Sequence, residues 1–300
     1  MRAAHAGARA RAIARIVVVS ALSATAAGAG APDGVPEKPA AFAEAIAAGD
    51  ARYERRGEGA DERGAPPFEI DGAIAEYRRA LALDPSSLEA RVRLMRAYFF
   101  RGGFCGEMPR DEKVRLFDEA KRLAEEVVSR LDAELGRKKG KVTRDAASRV
   151  TPAAEAYLWS AVSWGQWAVF HRVSAAWSGA PGRIRDLAEA VIALDPGAEQ
   201  AGAYIILGRL HSEAPKIPLV TGFVSREKAV AAVRAGSALA PENRALAYFT
   251  ADVLLRHAPD AKKEAGEILD RVASTPPRPD FPAEDLHYAR MARERLAGLR

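Results

Sequence analysis

One stretch of the sequence, Tyr204–Pro241, constrains the fold of the chain more than any other. An apolar run comes first at Ala201–His211, and a Pro- and Gly-containing loop follows at Ala214–Gly222. A second run opens at Ser225, a typical helix N-cap, and ends before Pro241, which cannot continue a helix. The stretch therefore predicts one helix–turn–helix unit.

The two helices of this unit carry the pattern of a tetratricopeptide repeat. The first-helix pattern W-x2-L-G-x2-Y is met, with conservative changes at both ends, by Tyr204, Leu207, Gly208 and His211. The second-helix positions are met by Ala229, Val233, Gly236 and Pro241. A small residue at such a position lets paired helices approach closely, so the unit is predicted to pack as a helical hairpin.

Looser copies of the hairpin recur along the chain, without a strict 34-residue period. Predicted helices lie at 40–56, Phe68–Pro85, Leu88–Arg101, Asp111–Leu135, Pro181–Pro196, Ala245–Arg256, Ala261–Ser274 and a capping helix at Ala283–Leu299. Alanine is abundant and β-branched runs are few, which also favours helices. We predict an all-α fold of TPR-like hairpins forming a right-handed superhelical or compact solenoid, as a single domain over residues 40–300.

The first 31 residues are typical of an export signal. Met1–Arg15 is basic, Ile16–Leu22 is apolar, and small-residue cleavage options follow at Ala24–Ala26 and Ala27–Ala29. The apolar run is too short to span a bilayer. The alternatives are an uncleaved anchor or a disordered tail. A mobile Pro/Gly-rich leader is predicted at 32–39.

The charge distribution excludes an electrostatic case for nucleic-acid binding. Without the four arginines of residues 1–31, the formal charge of +5 falls to +1. The basic run Gly136–Arg144 lacks interleaved aromatic residues, so it is interpreted as a solvated loop. Cys105 is the only cysteine, so no internal disulfide forms, and a buried apolar role is favoured over a reactive thiol.

Catalytic motifs are missing from the sequence. The five histidines are scattered, and no zinc, dinucleotide, P-loop or nucleophile-elbow motif occurs. Ser225–Lys228 formally matches S-x-x-K, but its partner motifs are absent, and an N-cap explains Ser225 better. We therefore predict that the protein is not an enzyme and that it uses no cofactor or metal.

Two groups of residues are candidates for binding. The stretch Thr151–Ser178 contains every tryptophan, and Trp159, Trp164 and Trp167 lie on more than one helical face. They are expected either to pack in the core or to line a groove or ligand cavity. Arg209, His211 and Lys216 can orient an anionic group, or can cap the end of their helix.

The loop Lys216–Phe223 is unusually apolar for a connector. Either it folds over the core, or it presents Leu219, Val220 and Phe223 to a partner. The two helices that flank this loop are ordinary repeat helices. A function specific to this hairpin is therefore expected in the loop.

The order of features resembles the T-component family of TRAP transporters, called TatT. After the signal come Gly49-Asp50…Tyr53, AIAEYRRALALDP at Ala73–Pro85, AYLWSAVSWGQWA at Ala156–Ala168, LGRL at Leu207–Leu210, SREKAV and PAED at Pro282–Asp285. The likeness covers most of residues 45–295. Single motifs belong to many TPR proteins, and the ordered combination is more specific.

This resemblance implies a periplasmic, all-helical protein that docks a solute-binding protein of the transporter. It also implies a possible homotrimer and a cavity for a hydrophobic or carboxylate-bearing small molecule. No cysteine stands directly after the signal here, unlike in the many lipoprotein members, so a soluble periplasmic form is expected. The alternative is a generic exported TPR scaffold in envelope assembly that binds no small ligand.

Overall fold

The computed structural model describes residues 40–135, 153–218 and 220–299 of the chain, which form one compact unit. The predicted signal peptide, the leader and the basic run at 136–144 lie outside these residues, as does Leu219. Within the described ranges there are α-helices and one 3₁₀ turn, Pro259–Ala261, but no β-strand. None of the helices there has the length and apolar character needed to cross a bilayer.

The helices are numbered here in chain order. They are α1 Ala40–Glu54, α2 Phe68–Leu83, α3 Leu88–Phe104, α4 Arg110–Glu134, α5 Ala153–Phe170, α6 Arg172–Trp177, α7 Ala180–Leu194, α8 Ala198–Glu213, α9 Arg226–Leu239, α10 Arg244–His257, α11 Lys262–Ser274 and α12 Pro282–Ala297. The predicted all-α fold is therefore confirmed.

Consecutive helices pack as hairpins, in a solenoid-like arrangement of two rows. The first row is α1, α3, α5, α8, α10 and α12, and the second row is α2, α4, α7, α9 and α11. From α3 onward, each first-row helix also contacts the next one in its row. Since no described helix buries its apolar face alone, the core is continuous along the array.

The paired helices approach closely where the repeat pattern places a small residue. A Cβ added at Gly208 of α8 would lie 2.4 Å from Val233 of α9, and one at Gly49 would lie 2.4 Å from the Tyr77 ring. Ser225 caps α9 and accepts a hydrogen bond from the Lys228 N–H at 3.2 Å, as its position in the sequence predicts.

Helix α3 runs past the predicted end at Arg101 as far as Phe104. The predicted end at Arg101 is therefore wrong, because the helix continues through Gly102 and Gly103. Gly102 instead lets α4 approach, because a Cβ there would lie 2.5 Å from the Phe117 ring. The extra turn places Phe104 against His287 and Tyr288 of α12, at centroid distances of 5.3 and 6.1 Å.

Helix α12 closes the first row onto its own beginning. Arg56, just after α1, pairs with Glu284 of α12 at 2.8 Å, and Arg293 of α12 reaches Glu62 at 2.7 Å. Because α12 contacts both α10 and α3, side chains from the two ends of the row face a shared interior. We call this interior the inner groove.

The start of α8 contains a left-handed turn. Glu199, Gln200 and Ala201 have φ values of 46°, 55° and 62°, a region that costs side-chain-bearing residues roughly 1–2 kcal/mol each. The turn is held through Gln200. Its carbonyl accepts a hydrogen bond from Asn243 Nδ2 at 2.8 Å, and its Oε1 accepts one from Arg278 Nη1 at 3.0 Å.

Candidate functional site

A group of polar side chains meets in the inner groove and forms the candidate site. We call it the inner polar cluster, and it consists of Tyr53, Arg56, Arg96, Glu155, Trp159, Glu199 and Glu284. Its members come from the end of α1, from α3, α5 and α8, and from α12. The site therefore exists only when the first row has closed on itself.

Arg56 links the two ends of the row. It is 8% exposed, donates to Glu284 Oε1 at 2.8 and 3.2 Å, and donates to the backbone carbonyls of Tyr53 and Asp280. Its guanidinium also lies over the Tyr53 ring, 4.4 Å from the centroid. These contacts use the hydrogen-bond donors of Arg56 and neutralise its charge, so its role is to join the two ends of the row.

Arg96 of α3 is less fully paired. Its guanidinium also lies over the Tyr53 ring, 4.1 Å from the centroid. Its carboxylate partner, Glu155 of α5, is 3.8 Å away, a long ion-pair distance. Arg96 Nε is enclosed and has no hydrogen-bond partner. Arg96 is therefore a preoriented cation with an unused donor.

Trp159 and Glu199 meet Arg96 from two other helices. Trp159 is 8% exposed, packs against Phe99 at 5.7 Å, and leaves its indole N–H without a partner of normal hydrogen-bond geometry. Glu199 projects from the left-handed turn. Surrounding protein raises the pKa of its carboxyl group by desolvation, while Arg96 and the Trp159 N–H act in the opposite direction and lower it.

Solvent reaches part of the inner polar cluster. Glu199 keeps an exposed surface although desolvation dominates its carboxyl pKa. Tyr53 is half-buried, and burial raises the pKa of its hydroxyl to about 12. Polar groups that are partly buried and still reached by solvent are available to a small molecule.

An aromatic strip continues the groove away from the polar cluster. Phe99 packs on Phe104 at 5.5 Å, Phe104 contacts Tyr288, and Tyr288 packs on Phe249 at 5.8 Å. Arg209 of α8 covers Phe249, with its guanidinium 4.7 Å from the centroid. The groove thus offers a polar end and an apolar wall beside it.

The structure separates the three tryptophans predicted to line a cavity. Trp159 faces the inner groove, whereas Trp164 and Trp167 pack edge to face at 5.6 Å on the side of α4. Lys121 lies over both rings, and Arg183 lies over Trp164 at 4.7 Å. The cavity-lining role therefore stays a prediction, and of the three only Trp159 is placed for it.

Arg209, His211 and Lys216 do not form one anion cluster. Arg209 faces the groove and pairs with Glu213 at 2.9 Å. His211 is buried at the base of the loop, where its Nδ1 accepts the Ser225 N–H at 3.3 Å. Burial, followed by Lys228 and Arg185, lowers the His211 pKa. Lys216 is exposed on the loop.

The loop after α8 folds against the hairpin at several points. Thr221 is buried; its hydroxyl accepts the Ile217 N–H and donates to the Pro215 carbonyl. Phe223 is half-buried between His211, 6.0 Å away, and the Arg185 guanidinium, 4.3 Å away. Of the residues predicted to contact a partner, Phe223 is thus engaged within the hairpin. Leu219 lies outside the described residues.

Sequence reasoning missed Arg56, Arg96, Glu155, Glu199 and Glu284. A usable signal existed for two of them, because Arg96 and Glu155 lie on first-row helices at positions that face away from the second row. A charged residue there must face the interior of the array. No comparable signal marks Glu199, whose orientation depends on the left-handed turn.

Two open clefts lie elsewhere, and neither includes a member of the inner polar cluster. One of about 590 Å³ lies between α4 and the start of α7 with the turn before it, and one of about 600 Å³ lies between α9, the 3₁₀ turn and α11. The described residues contain no group of three or more His, Cys, Asp or Glu side chains placed to hold a metal ion.

Comparison of the chain with protein-family models and with curated proteins gave no match.

Proposed function

We propose that this chain is a non-enzymatic, exported helical-repeat protein that binds a small organic molecule in the inner groove and docks a periplasmic solute-binding protein of a TRAP-type transporter. The observation that carries the ligand-binding part is the inner polar cluster, with its unpaired donors Arg96 Nε and Trp159 Nε1. Enclosed donors without a protein partner are uncommon in a packed core, so these two call for an explanation.

The transporter part of the proposal rests on the ordered sequence motifs that resemble the T-component family. The all-α hairpin fold is compatible with that resemblance. Nothing in the inner polar cluster pairs a nucleophile with a general base, so the groove supports binding in preference to catalysis.

The proposal is tested by recovering partners from the native host. The tagged full-length chain is isolated from the periplasmic fraction, and its complexes are weighed by native mass spectrometry. We expect a solute-binding protein in the complex, in the same integer ratio to this chain in each preparation. A tagged periplasmic protein of unrelated fold serves as the control. Recovery of the chain only from the cytoplasm, or without any solute-binding protein, would contradict the proposal.

A second candidate function, an envelope-assembly scaffold, is favoured by one observation. Val169, Val173 and Trp177, spaced by four residues across the α5–α6 junction, are 50%, 74% and 86% exposed. Exposed apolar residues at this spacing are typical of protein-binding surfaces. If the complexes contain envelope-assembly proteins and lose them in Trp177→Ser, the scaffold function is the correct one.

A further inference from the structure

Three apolar side chains at the junction of α5 and α6 are exposed to solvent, and we call them the exposed stripe. They are Val169, Val173 and Trp177, at 50%, 74% and 86% exposure. Trp177 differs in this from the other three tryptophans, which are at most 9% exposed. Neither of the two open clefts includes a residue of the exposed stripe. Its side chains therefore face solvent and do not line either cleft.

Two arginines without an ion-pair partner lie next to the exposed stripe. Arg172 stands within the stripe's stretch of sequence, in the first turn of α6, and is exposed. Arg110 of α4 is also exposed, and its guanidinium lies 5.9 Å from the centroid of the Phe170 ring. Among the described residues no carboxylate pairs with either arginine. Both positive charges are therefore available to an anionic partner.

The chain segment around the exposed stripe is free of acidic residues. Residues 156–185 contain three arginines and one histidine but no Asp or Glu, although Asp and Glu make up 40 of the 300 residues. The acids near the junction come from α4, where Asp118 lies 3.4 Å from His171 Nε2 and Asp111 and Glu112 occupy the first turn. The segment itself is apolar and basic, a combination that suits an anionic surface with an apolar interior.

We propose that the exposed stripe is a reversible contact site for an anionic lipid bilayer. Trp177 and Val173 insert among the lipid headgroups, while Arg172 and Arg110 face the lipid phosphates. Tryptophan is favoured at the membrane–water interface because its ring is apolar and its N–H is polar. This inference goes beyond the proposed function and depends on neither the inner groove nor a transporter partner.

A protein partner fits the exposed stripe less well than a bilayer does. A stable protein interface buries about 800 Å² on each partner. Even a fully buried aromatic side chain supplies only about 150–250 Å² of this, so three partly exposed side chains fall short. The same shortfall applies to a second copy of the chain. A bilayer adds attraction between arginines and headgroups to partial insertion, so few apolar side chains suffice for reversible binding.

The test measures sedimentation of the purified full-length chain with lipid vesicles. One set is phosphatidylcholine containing about 30% phosphatidylglycerol, which supplies the anionic charge, and the other is phosphatidylcholine alone. We expect at least fivefold tighter binding to the anionic vesicles, and loss of this preference in about 0.5 M salt, where charges are screened. No binding to the anionic vesicles, or equal binding to both sets, would overturn the proposal.

Variants are needed to locate the contact, because residues 1–31 are also basic and apolar. Trp177→Ser is expected to weaken binding to the anionic vesicles at least fivefold, and Arg172→Gln about fivefold. The matched controls are Phe68→Ser, at an aromatic residue of α2 that is 71% exposed, and Arg226→Gln, at an exposed arginine of α9. Both controls should bind like the parent. Equal effects of the stripe and control substitutions, or no effect of either, would show that the exposed stripe is not the contact.

Insertion can be followed through the fluorescence of Trp177. Brominated lipid in the anionic vesicles is expected to quench part of the tryptophan emission, and this part should be missing in Trp177→Phe. Binding without such quenching would contradict insertion. If the chain ignores vesicles but its native complexes lose a protein in Trp177→Ser, the exposed stripe binds that protein and the bilayer proposal is wrong.

Discussion

Asp285, on the first turn of α12, is a fully enclosed carboxylate whose partners are all supplied by nearby arginines and backbone. Arg278 donates to it through Nε at 2.9 Å, Nη2 at 2.8 Å and its backbone N–H at 2.9 Å, and Arg244 approaches to 3.6 Å. Because Arg278 also holds Gln200, this one carboxylate supports both the start of α12 and the left-handed turn.

Replacing Asp285 by Asn is expected to lower the free energy of unfolding by about 3 to 5 kcal/mol. The substitution leaves two arginines facing an enclosed neutral group, which is costly when one partner of a buried pair is removed. Urea unfolding followed by circular dichroism measures the change. The control is Asp270→Asn on exposed α11 surface, expected to fall within about 0.5 kcal/mol of the parent. A similar loss in both variants would show that the pairing is unimportant.

His287 makes stability depend on pH. Burial among Phe104 and Tyr288, together with Arg290, lowers its pKa from 6.5 to about 4. Between these values the unfolded chain binds a proton and the folded chain does not, so stability falls as pH drops from 6.5 toward 4. The full shift corresponds to roughly 3 kcal/mol, and partial exposure reduces our expectation to about 1–2 kcal/mol.

The measurement compares the parent with His287→Gln, which cannot titrate. The free energy of unfolding is measured at pH 7 and at pH 4.5 for both proteins. Its loss between these pH values should be smaller in the variant than in the parent by about 1–2 kcal/mol. Parallel pH dependences of the two proteins would rule out His287 as the source.

For single residues, the sequence indicated some of the candidate side chains but not which of them contact each other in the fold. Trp159 and Trp164 were predicted to lie on different faces from Trp167, and for Trp164 this is wrong, because residues three apart share a helical face and the two rings pack edge to face at 5.6 Å. The helical period also does not say which neighbour each face contacts. Arg209 and His211, two residues apart, therefore diverge into the groove and the loop base. Arg96 and Glu155 were overlooked because charged residues on a predicted helix are ordinarily solvated.

The helices show how far local signals carry. Ser225 and Asn243 cap α9 and α10 with their side chains, and prolines follow the ends of α2, α7 and α9, so these boundaries were predictable. The extension of α3 was not predictable, because Gly102 lies inside the helix and allows close contact with Phe117. The left-handed turn was not either, since Glu, Gln and Ala are good helix formers and tertiary contacts hold them out of the helix.

Close approach of α8 and α9 depends on the absence of a side chain at Gly208. Gly208→Ala is expected to destabilise the protein by about 1–3 kcal/mol, because the new methyl group would overlap Val233. Gly165→Ala is the matched control within a helix, since a Cβ there meets nothing within 4 Å. It is expected to stabilise by about 0.5–1 kcal/mol through helix propensity. Thermal unfolding of both variants measures these changes. If both substitutions destabilise the protein, the loss cannot be assigned to the close approach of α8 and α9.

For the described unit as a whole, closure through α12 distinguishes this array from an open solenoid. Tyr288 of α12 is 8% exposed and contacts residues at both ends of the row, Phe104 of α3 and Tyr248 and Phe249 of α10. An open array is stabilised only by neighbouring repeats. Here, the first and last hairpins also stabilise each other.

Tyr288→Ala is therefore expected to cost about 3–5 kcal/mol and to loosen distant segments together. Hydrogen exchange measured by mass spectrometry should rise in peptides from the end of α3 as well as in α12. Leu239→Ala, at a residue that is 52% exposed on α9, should leave both regions protected. Faster exchange confined to α12 would mean that closure does not couple the two ends.

The pairing of Arg56 with Glu284 spans 228 residues of sequence. During synthesis, which proceeds from the N-terminus, Tyr53 and Arg56 emerge well before Glu284. Hairpins from α1 to α11 can form in order as they appear, because their contacts are local. The inner polar cluster cannot form in this way, because Glu284 belongs to α12, so the cluster is complete only after α12 has left the ribosome.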